Sequence, residues 1–425
     1  MKKVLIIANL FHASPRIPGL AKYLPEFGWQ PIVLTPPIGE DPDSRFGPPN
    51  DFKDSNRVIE TYGYSSRHTW KKRHRLDSKK LYKPAKSLLR FLYKHYLEII
   101  NYPDEEKGWR PFAVKAGDEF LRSEDVDAMI SSSSPVTCHL VAKELKRIHN
   151  IPWVADLRDL WSQNHNYSFG RIRRVFDRRL ELKTLSVADA LVTVTPLWAE
   201  ELKALHKRRT VYTITNGFDP DKISKARAEL TSRFTITYTG QVFYTGKQDP
   251  SKLFAALREL ITEGVIEPND VEIRFYNPES EVLASEIEKY GLSAIAKQYG
   301  IVPRDVSFKR QRESQLLLLF NWEDQRGKGW HSLKIFEYMA AQRPVLATGG
   351  LGNDAVKDLL DETGVGVYCK TVDDIKRTIR DLYLKYKQEG RVGYQGDVAK
   401  ISKYSHREMA RKYVEVLSLV TNTET

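Results

Sequence analysis

Cysteine is almost missing: in 425 residues only Cys138 and Cys369 occur, far apart in the chain. Two such thiols offer neither a disulfide framework nor metal-ligand spacing, and they suit a reducing compartment. No apolar run approaches the ~18 residues that would cross a bilayer. The opening Met1-Lys-Lys-Val-Leu-Ile-Ile-Ala-Asn-Leu starts like a signal peptide, but its apolar part is short. His12, Pro15 and Arg16 follow where a cleavage site would stand. The stretch therefore reads as a first strand, and the expected location is the cytoplasm. Also missing are G-x-S-x-G, a Walker loop and a full G-x-G-x-x-G, which argues against hydrolase, P-loop and dinucleotide sites. His12, His139, His165 and His331 show no H-x-x-x-H spacing. Asp41-Pro-Asp43 and Asp219-Pro-Asp221 read as turns, so no metal is expected.

What the chain has in excess is positive charge, +12 at pH 7. A balance of that size calls for an anionic partner: nucleic acid, anionic lipid or a phosphorylated small molecule. Arg67 to Lys80 is strongly basic, with His68, Trp70 and His74 interleaved. A helical pattern follows, with Leu81, Ala85, Leu88, Leu92 and Tyr96 on one face and Lys83, Lys86, Arg90 and Lys94 on the other. Residues 67–100 read equally as a peripheral element on an anionic membrane or as a core-facing helix with a solvated charged side.

The length suits two domains, and the pattern supplies two α/β blocks. Lys3–Ala8 reads as a strand, Gly19–Gly28 as a helix and Gln30–Thr35 as a strand, a βαβ unit. Residues 36–60 read as a long loop. A strand from Asp127 runs into the serine loop Ser131 to Ser134, and Val136–His149 is its helix. The strand from Ile151 ends in Asp156-Leu-Arg158-Asp159, ahead of an arginine-dense helix over 171–186 and a strand over 188–195, and the stretch 211–219 ends the domain in a turn. Residues 220–233 read as a linker. Beyond it the pattern predicts a strand over 234–240, a helix over 250–264, a strand over 271–276, a helix over 279–299, a strand over 305–308 and a buried run over 316–320. The expected domains are 1–219 and 234–400, with an amphipathic helix over 405–420.

Four places carry candidate chemistry. Gly19, read as opening its helix, would bring a phosphate close to backbone amides. Asp156, Arg158 and Asp159 put two carboxylates and a guanidinium at a strand end, where α/β sites lie; Asp159 as a helix cap paired with Arg158 is the structural alternative. Gly240 to Lys247 sets a glycine turn and a lysine between a strand and a helix. Finally, Ser332 to Gly350 reads as a helix, a turn before Pro344, a buried strand and a glycine pair. Its Lys334 and Glu337 stand one helical turn apart, either holding a phosphorylated sugar or forming an i, i+3 surface ion pair worth ~0.2–0.5 kcal/mol.

Lys334-Ile-Phe-Glu337-Tyr-Met-Ala-Ala-Gln-Arg-Pro344-Val-Leu-Ala resembles the donor-binding segment of bacterial family-4 glycosyltransferases. That resemblance implies the α/β GT-B fold, two Rossmann-like lobes with an interdomain cleft, with the final helix packing back on the first lobe. It implies a retaining, metal-independent transfer from a nucleoside-diphosphate sugar, a co-substrate rather than a cofactor, to a saccharide or lipid-linked acceptor in surface polysaccharide synthesis. Glu337 would hold the donor ribose; Gly19, Gly240, Lys247 and Lys334 would face the donor diphosphate; Asp156, Arg158 and Asp159 would orient the acceptor. Two departures stand out: Gln241 replaces an arginine of the diphosphate loop, and Gly329 replaces the first of two glutamates separated by seven residues. The rival readings are a nucleotide-sugar epimerase of the same fold and a basic nucleic-acid-binding module, although no RNA- or DNA-binding motif is present.

Overall fold

The computed structural model describes residues 1–10, 15–38, 48, 51–62, 96, 98–167, 169–223, 228–242 and 248–422. The basic run 67–80, most of the 81–100 pattern and Lys247 lie outside the described residues. The chain divides into two compact units: residues 1–215 with 409–425, and residues 216–408.

The first unit is built on a parallel sheet ordered β3-β2-β1-β4-β5-β6-β7. Its strands are β1 (Lys2–Ala8), β2 (Trp29–Thr35), β3 (Arg57–Glu60), β4 (Ala128–Ser133), β5 (Trp153–Leu157), β6 (Ala190–Thr193) and β7 (Thr210–Thr213). Val4 to Ala8 are all buried, as expected of a central parallel strand covered on both faces. One core cluster joins Ile6, Val33 and Ile130 to Met409, Ala410, Tyr413 and Leu417 of the last helix, His406–Thr421.

The second unit repeats the plan with a parallel sheet ordered β10-β9-β8-β11-β12-β13. These are β8 (Phe234–Thr239), β9 (Val271–Tyr276), β10 (Ala296–Gln298), β11 (Leu316–Asn321), β12 (Val345–Gly349) and β13 (Gly366–Cys369). In both sheets the order reverses next to the first strand, between β1 and β4 and between β8 and β11. At such a switch point the connections leave in opposite directions and open a crevice beyond the carboxyl ends of the strands.

Three local expectations are corrected. The stretch read as a loop over 36–60 contains the short edge strand β3. The helix expected over 279–299 ends at Lys289; Gly291, at φ +69°, lets the chain turn, and Ala296–Gln298 pairs with β9. The strand expected over 305–308 is a helix, Arg304–Arg312, preceded by Pro303.

The segment entering the second unit and the one leaving it lie side by side. Phe218 donates its amide to Tyr404 O at 3.0 Å, and His406 donates to Phe218 O at 2.8 Å. Gly217 permits this approach, because a Cβ there would sit 2.3 Å from Tyr404 O. Gly217→Ala should lower unfolding stability by ~1–3 kcal/mol, the usual cost of forcing an extra carbon into packed structure, as read by urea denaturation.

Candidate functional site

The carboxyl end of β8 is fixed by a helix nearly a hundred residues away. Helix Lys334–Ala341 is buried on most of its surface, with Ile335, Phe336, Tyr338, Met339, Ala340 and Ala341 all inside. Tyr338 accepts the Thr239 amide at 3.2 Å and donates to Leu318 O at 3.1 Å, tying the helix to β8 and β11 on either side of the switch point. Burial pushes the Tyr338 phenol up to about 12, so it stays a donor at neutral pH.

Lys334 lies one helical turn before Tyr338 on the same face, so this anchor delivers its side chain to Gly240. Gly240 has φ +108°, and a Cβ there would meet Lys334 Cε at 2.3 Å and Nζ at 3.0 Å. Glycine is required twice over, for the backbone angle and for the room. The ammonium lies 5.3 Å from the centroid of the Tyr238 ring, and among the described residues no oxygen accepts from it. Burial lowers the Lys334 pKa to about 8, with Glu337 acting weakly in the opposite direction.

Glu337 does not pair with Lys334. Its carboxylate accepts from Arg304 Nη2 at 3.3 Å and, at 3.5 Å, from Gln311 Nε2, which also donates to Thr239 Oγ1 at 3.0 Å. The i, i+3 surface pair is therefore replaced by an exposed pair with Arg304, and the lysine is left for something else. Arg304, Gln311, Tyr238 and Tyr338 were not legible as site residues, since nothing local marks a residue that meets another thirty to one hundred positions away.

The glycine pair after β12 is equally constrained. Gly349 and Gly350 both have φ +81°, and a Cβ on Gly350 would strike the Tyr368 hydroxyl at 2.0 Å and Asn321 Nδ2 at 2.5 Å. Asp354 organises this corner: it accepts from Asn321 at 3.0 Å, Tyr368 at 2.6 Å and the Leu351 amide at 3.0 Å, and caps helix Ala355–Thr363. Lys334, Gly240, Glu337 and Gly349 thus all belong to the carboxyl edge of one sheet.

The candidates of the first unit separate. Asp156 points inward: its carboxylate accepts from Arg16 Nε at 3.1 Å, Arg16 Nη2 at 3.0 Å and Ser132 Oγ at 2.7 Å. Both side chains of the Arg16–Asp156 pair are fully buried. Burial alone would raise the Asp156 carboxyl, but the Arg16 guanidinium and its two hydrogen bonds outweigh it and hold the group below its ordinary range. Arg16 also donates to Tyr413 OH at 2.8 Å and to Thr215 O at 2.9 Å. Arg158, half-buried, donates to the carbonyls of Ser133 at 2.7 Å and Ser134 at 2.9 Å rather than to Asp159. Asp159 is half-buried, with no partner for its carboxylate among the described residues. Gly19 is buried within a helix that opens at Arg16, and its amide already donates to Pro15 O at 2.8 Å, so it is not the helix-opening residue expected. Among the described residues no three His, Cys, Asp or Glu side chains group as they would around an ion. No described helix is long and apolar enough to cross a membrane.

Residues 17–222 match the model of Glycosyltransferase Family 4. The fold is GT-B: sucrose-phosphate synthase from Thermosynechococcus elongatus superposes with a TM-score of 0.64 at 12% identity, covering 100% of both chains. Anabaena HepE, solved in complex with UDP and glucose, gives 0.62 at 12% identity over 98% of this chain and 100% of that one. S. aureus MnaA, solved with UDP, is less similar at 0.51 and 12% identity, over 99% and 97% of the two chains. No curated protein matches.

The inward pair yields a prediction. Asp156→Asn leaves the Arg16 cation buried without its counter-charge and should lose ~3–5 kcal/mol of unfolding stability, measured in urea at pH 7. Because the folded carboxyl titrates below its unfolded value, the wild-type pair stabilises fully above about pH 4 and progressively less as pH falls through the lower folded pKa. If Asp156 served only to orient an acceptor, the variant would unfold like wild type.

Proposed function

We propose that this family-4-like glycosyltransferase of GT-B fold moves a sugar, with retention, from a nucleoside diphosphate to a saccharide or lipid-linked acceptor. The observation that carries the reading is the half-buried Lys334 ammonium lodged against Gly240 at the switch point of the second sheet, with no anion in contact among the described residues. A buried cation left unpaired is costly, and a diphosphate is the ligand that would answer it. Anabaena HepE and S. aureus MnaA, which share the fold, were solved with UDP, and that supports a uridine nucleotide as the first donor to try.

In the reaction, the bond between the sugar's anomeric carbon and the diphosphate oxygen breaks, and an acceptor oxygen bonds to that carbon. Negative charge grows on the leaving phosphate, and a preorganised ammonium at that place stabilises the transition state more than the ground state. The leaving oxygen takes the acceptor's proton, so no strong base is needed. Glu337 would accept from the ribose hydroxyls, with Arg304 and Gln311 fixing its orientation. Lys247 would add a second cation, which matters more with Gln241 in the arginine position. Asp159 and Arg158 are the better candidates for the acceptor side, because Asp156 is engaged with Arg16. Polysaccharide synthesis as the pathway rests on the family resemblance.

Two measurements test the donor site. Lys334→Met should lower UDP affinity about tenfold to a hundredfold by calorimetry, and Glu337→Gln should cost ~1.5–3 kcal/mol of nucleoside-diphosphate affinity, with melting temperatures within a degree or two of wild type. UDP affinity should hold steady from about pH 6 up to the Lys334 pKa of about 8 and then fall with rising pH as the ammonium is lost. Affinity indifferent to both substitutions and flat across that range would remove the diphosphate from this place. Release of free sugar or its epimer from UDP-sugar, with no transfer to any acceptor, would select the epimerase reading instead.

A further inference from the structure

Helix Arg171–Leu185 of the first unit is inside out. Its buried face carries Arg173, Asp177, Glu181 and Thr184 ahead of a buried Leu185, whereas three apolar residues point to solvent: Ile172 is 77% exposed, Val175 50% and Phe176 52%. The polar face is not idle. Arg173 is clasped between the Tyr102 and Phe169 rings, at 4.5 and 4.7 Å, and donates to Asp177 at 3.0 Å and to Pro103 O at 2.7 Å. Asp177 also accepts from Tyr167 at 2.6 Å. Glu181 accepts the Ser162 amide at 3.0 Å and lies 3.3 Å from His206 Nε2. The helix is thus locked with its charged side inward, and its orientation is not a matter of choice.

The outward face holds a second regularity. Interleaved with the apolar side chains are Arg171, Arg174, Arg178, Arg179 and Lys183, all exposed, and the helix's two acids are both on the buried side. The neighbouring segment is held in place by Tyr102, which donates to Phe176 O at 3.1 Å, and it adds Ile99, 75% exposed. The result is an apolar strip set among five cations, with neither acid of the helix on that face.

We propose that this face docks on an anionic lipid surface, with Ile172, Val175, Phe176 and Ile99 entering the interface and the arginines meeting the headgroup phosphates. The charge pattern selects the occupant. A second copy of the chain would bring like charges together across a two-fold axis, and nucleic acid would answer the arginines but leave the isoleucines and phenylalanine in water. An anionic bilayer satisfies both, since apolar insertion and cation–headgroup attraction act in the same place. The proposal does not depend on the sugar-transfer reading, and it places the contact on residues other than the 67–100 stretch.

The test is co-sedimentation of the full chain with vesicles of phosphatidylcholine alone and of phosphatidylcholine mixed with phosphatidylglycerol. Wild type should bind the mixed vesicles and not the neutral ones. Arg178→Glu with Arg179→Glu should weaken binding at least tenfold, since each cation near such a surface is worth about fivefold. Ile172→Ser with Phe176→Ser should weaken it as well, while thermal unfolding of both variants stays that of wild type because every substituted side chain is exposed. Three results would overturn the proposal. One is unchanged vesicle binding in both variants, with loss only when Lys83, Lys86, Arg90 and Lys94 are reversed. Another is binding to a homopolymer RNA that the serine variant retains, with no binding to vesicles. The third is a dimer in sedimentation velocity that the serine variant dissolves, again without vesicle binding.

Discussion

A cation taken out of water must be answered by an anion, and the two units meet that constraint in opposite ways near the carboxyl edge of their sheets. In the first unit Arg16 is fully buried and fully answered, by the Asp156 carboxylate, the Tyr413 hydroxyl and the Thr215 carbonyl. In the second, Lys334 lies against Gly240 with its pKa depressed by burial and, among the described residues, no carboxylate in contact. A guanidinium suits the first role, because its planar fork engages both carboxylate oxygens and it never gives up its proton. A lysine suits the second, because a compact ammonium whose charge is expensive in the free protein gains most when a dianion arrives. The same element of cost is structural in one unit and chemical in the other.

That contrast depends on the helices that deliver the side chains. Tyr338 locks helix Lys334–Ala341 to both strands of the switch point, so the helix cannot carry Lys334 away from Gly240 without breaking hydrogen bonds to Thr239 and Leu318. Tyr413 comes from the final helix, which belongs to the first unit's core although nearly two hundred residues of the second unit precede it in the chain. Both sites are completed by residues remote in sequence, and both are fixed by tyrosine hydroxyls that remain protonated because burial raises their pKa.

The sheet edges were legible where the local pattern was unambiguous. The apolar run before Asn321, the helix-breaking Pro344 and the pair Gly349-Gly350 each carry one physical meaning, and the structure realises all three. Residues 305–308 misled because Val306 and Phe308 alternate as in a strand, while the helix they join has only Gln311 fully buried and so no apolar stripe to announce it. The edge strand Arg57–Glu60 is short, charged at both ends and only half-buried, which leaves no hydrophobic signal. The Asp156 to Asp159 cluster showed the right place but not the direction of each side chain. The strand ends at Leu157, so Arg158 and Asp159 leave its alternation, and the inward partner, Arg16, stands 140 positions away.

Helix Arg171–Leu185 is the more instructive case. A reading by hydrophobic stripe would turn Ile172, Val175, Phe176 and Leu182 inward, and the structure turns them out. Each apolar side chain of that size left in water forgoes ~1.5–3 kcal/mol of burial, and the inward arrangement adds the desolvation of Arg173, Asp177 and Glu181. The fold offsets the second cost with fixed partners for each charge, the two aromatic rings around Arg173 among them. Among the described residues the first stands, with Ile172, Val175 and Phe176 half or more exposed. If the compensation comes from a surface outside the chain, as in the lipid docking proposed above, the arginines that flank the apolar strip specify the sign of charge it must carry.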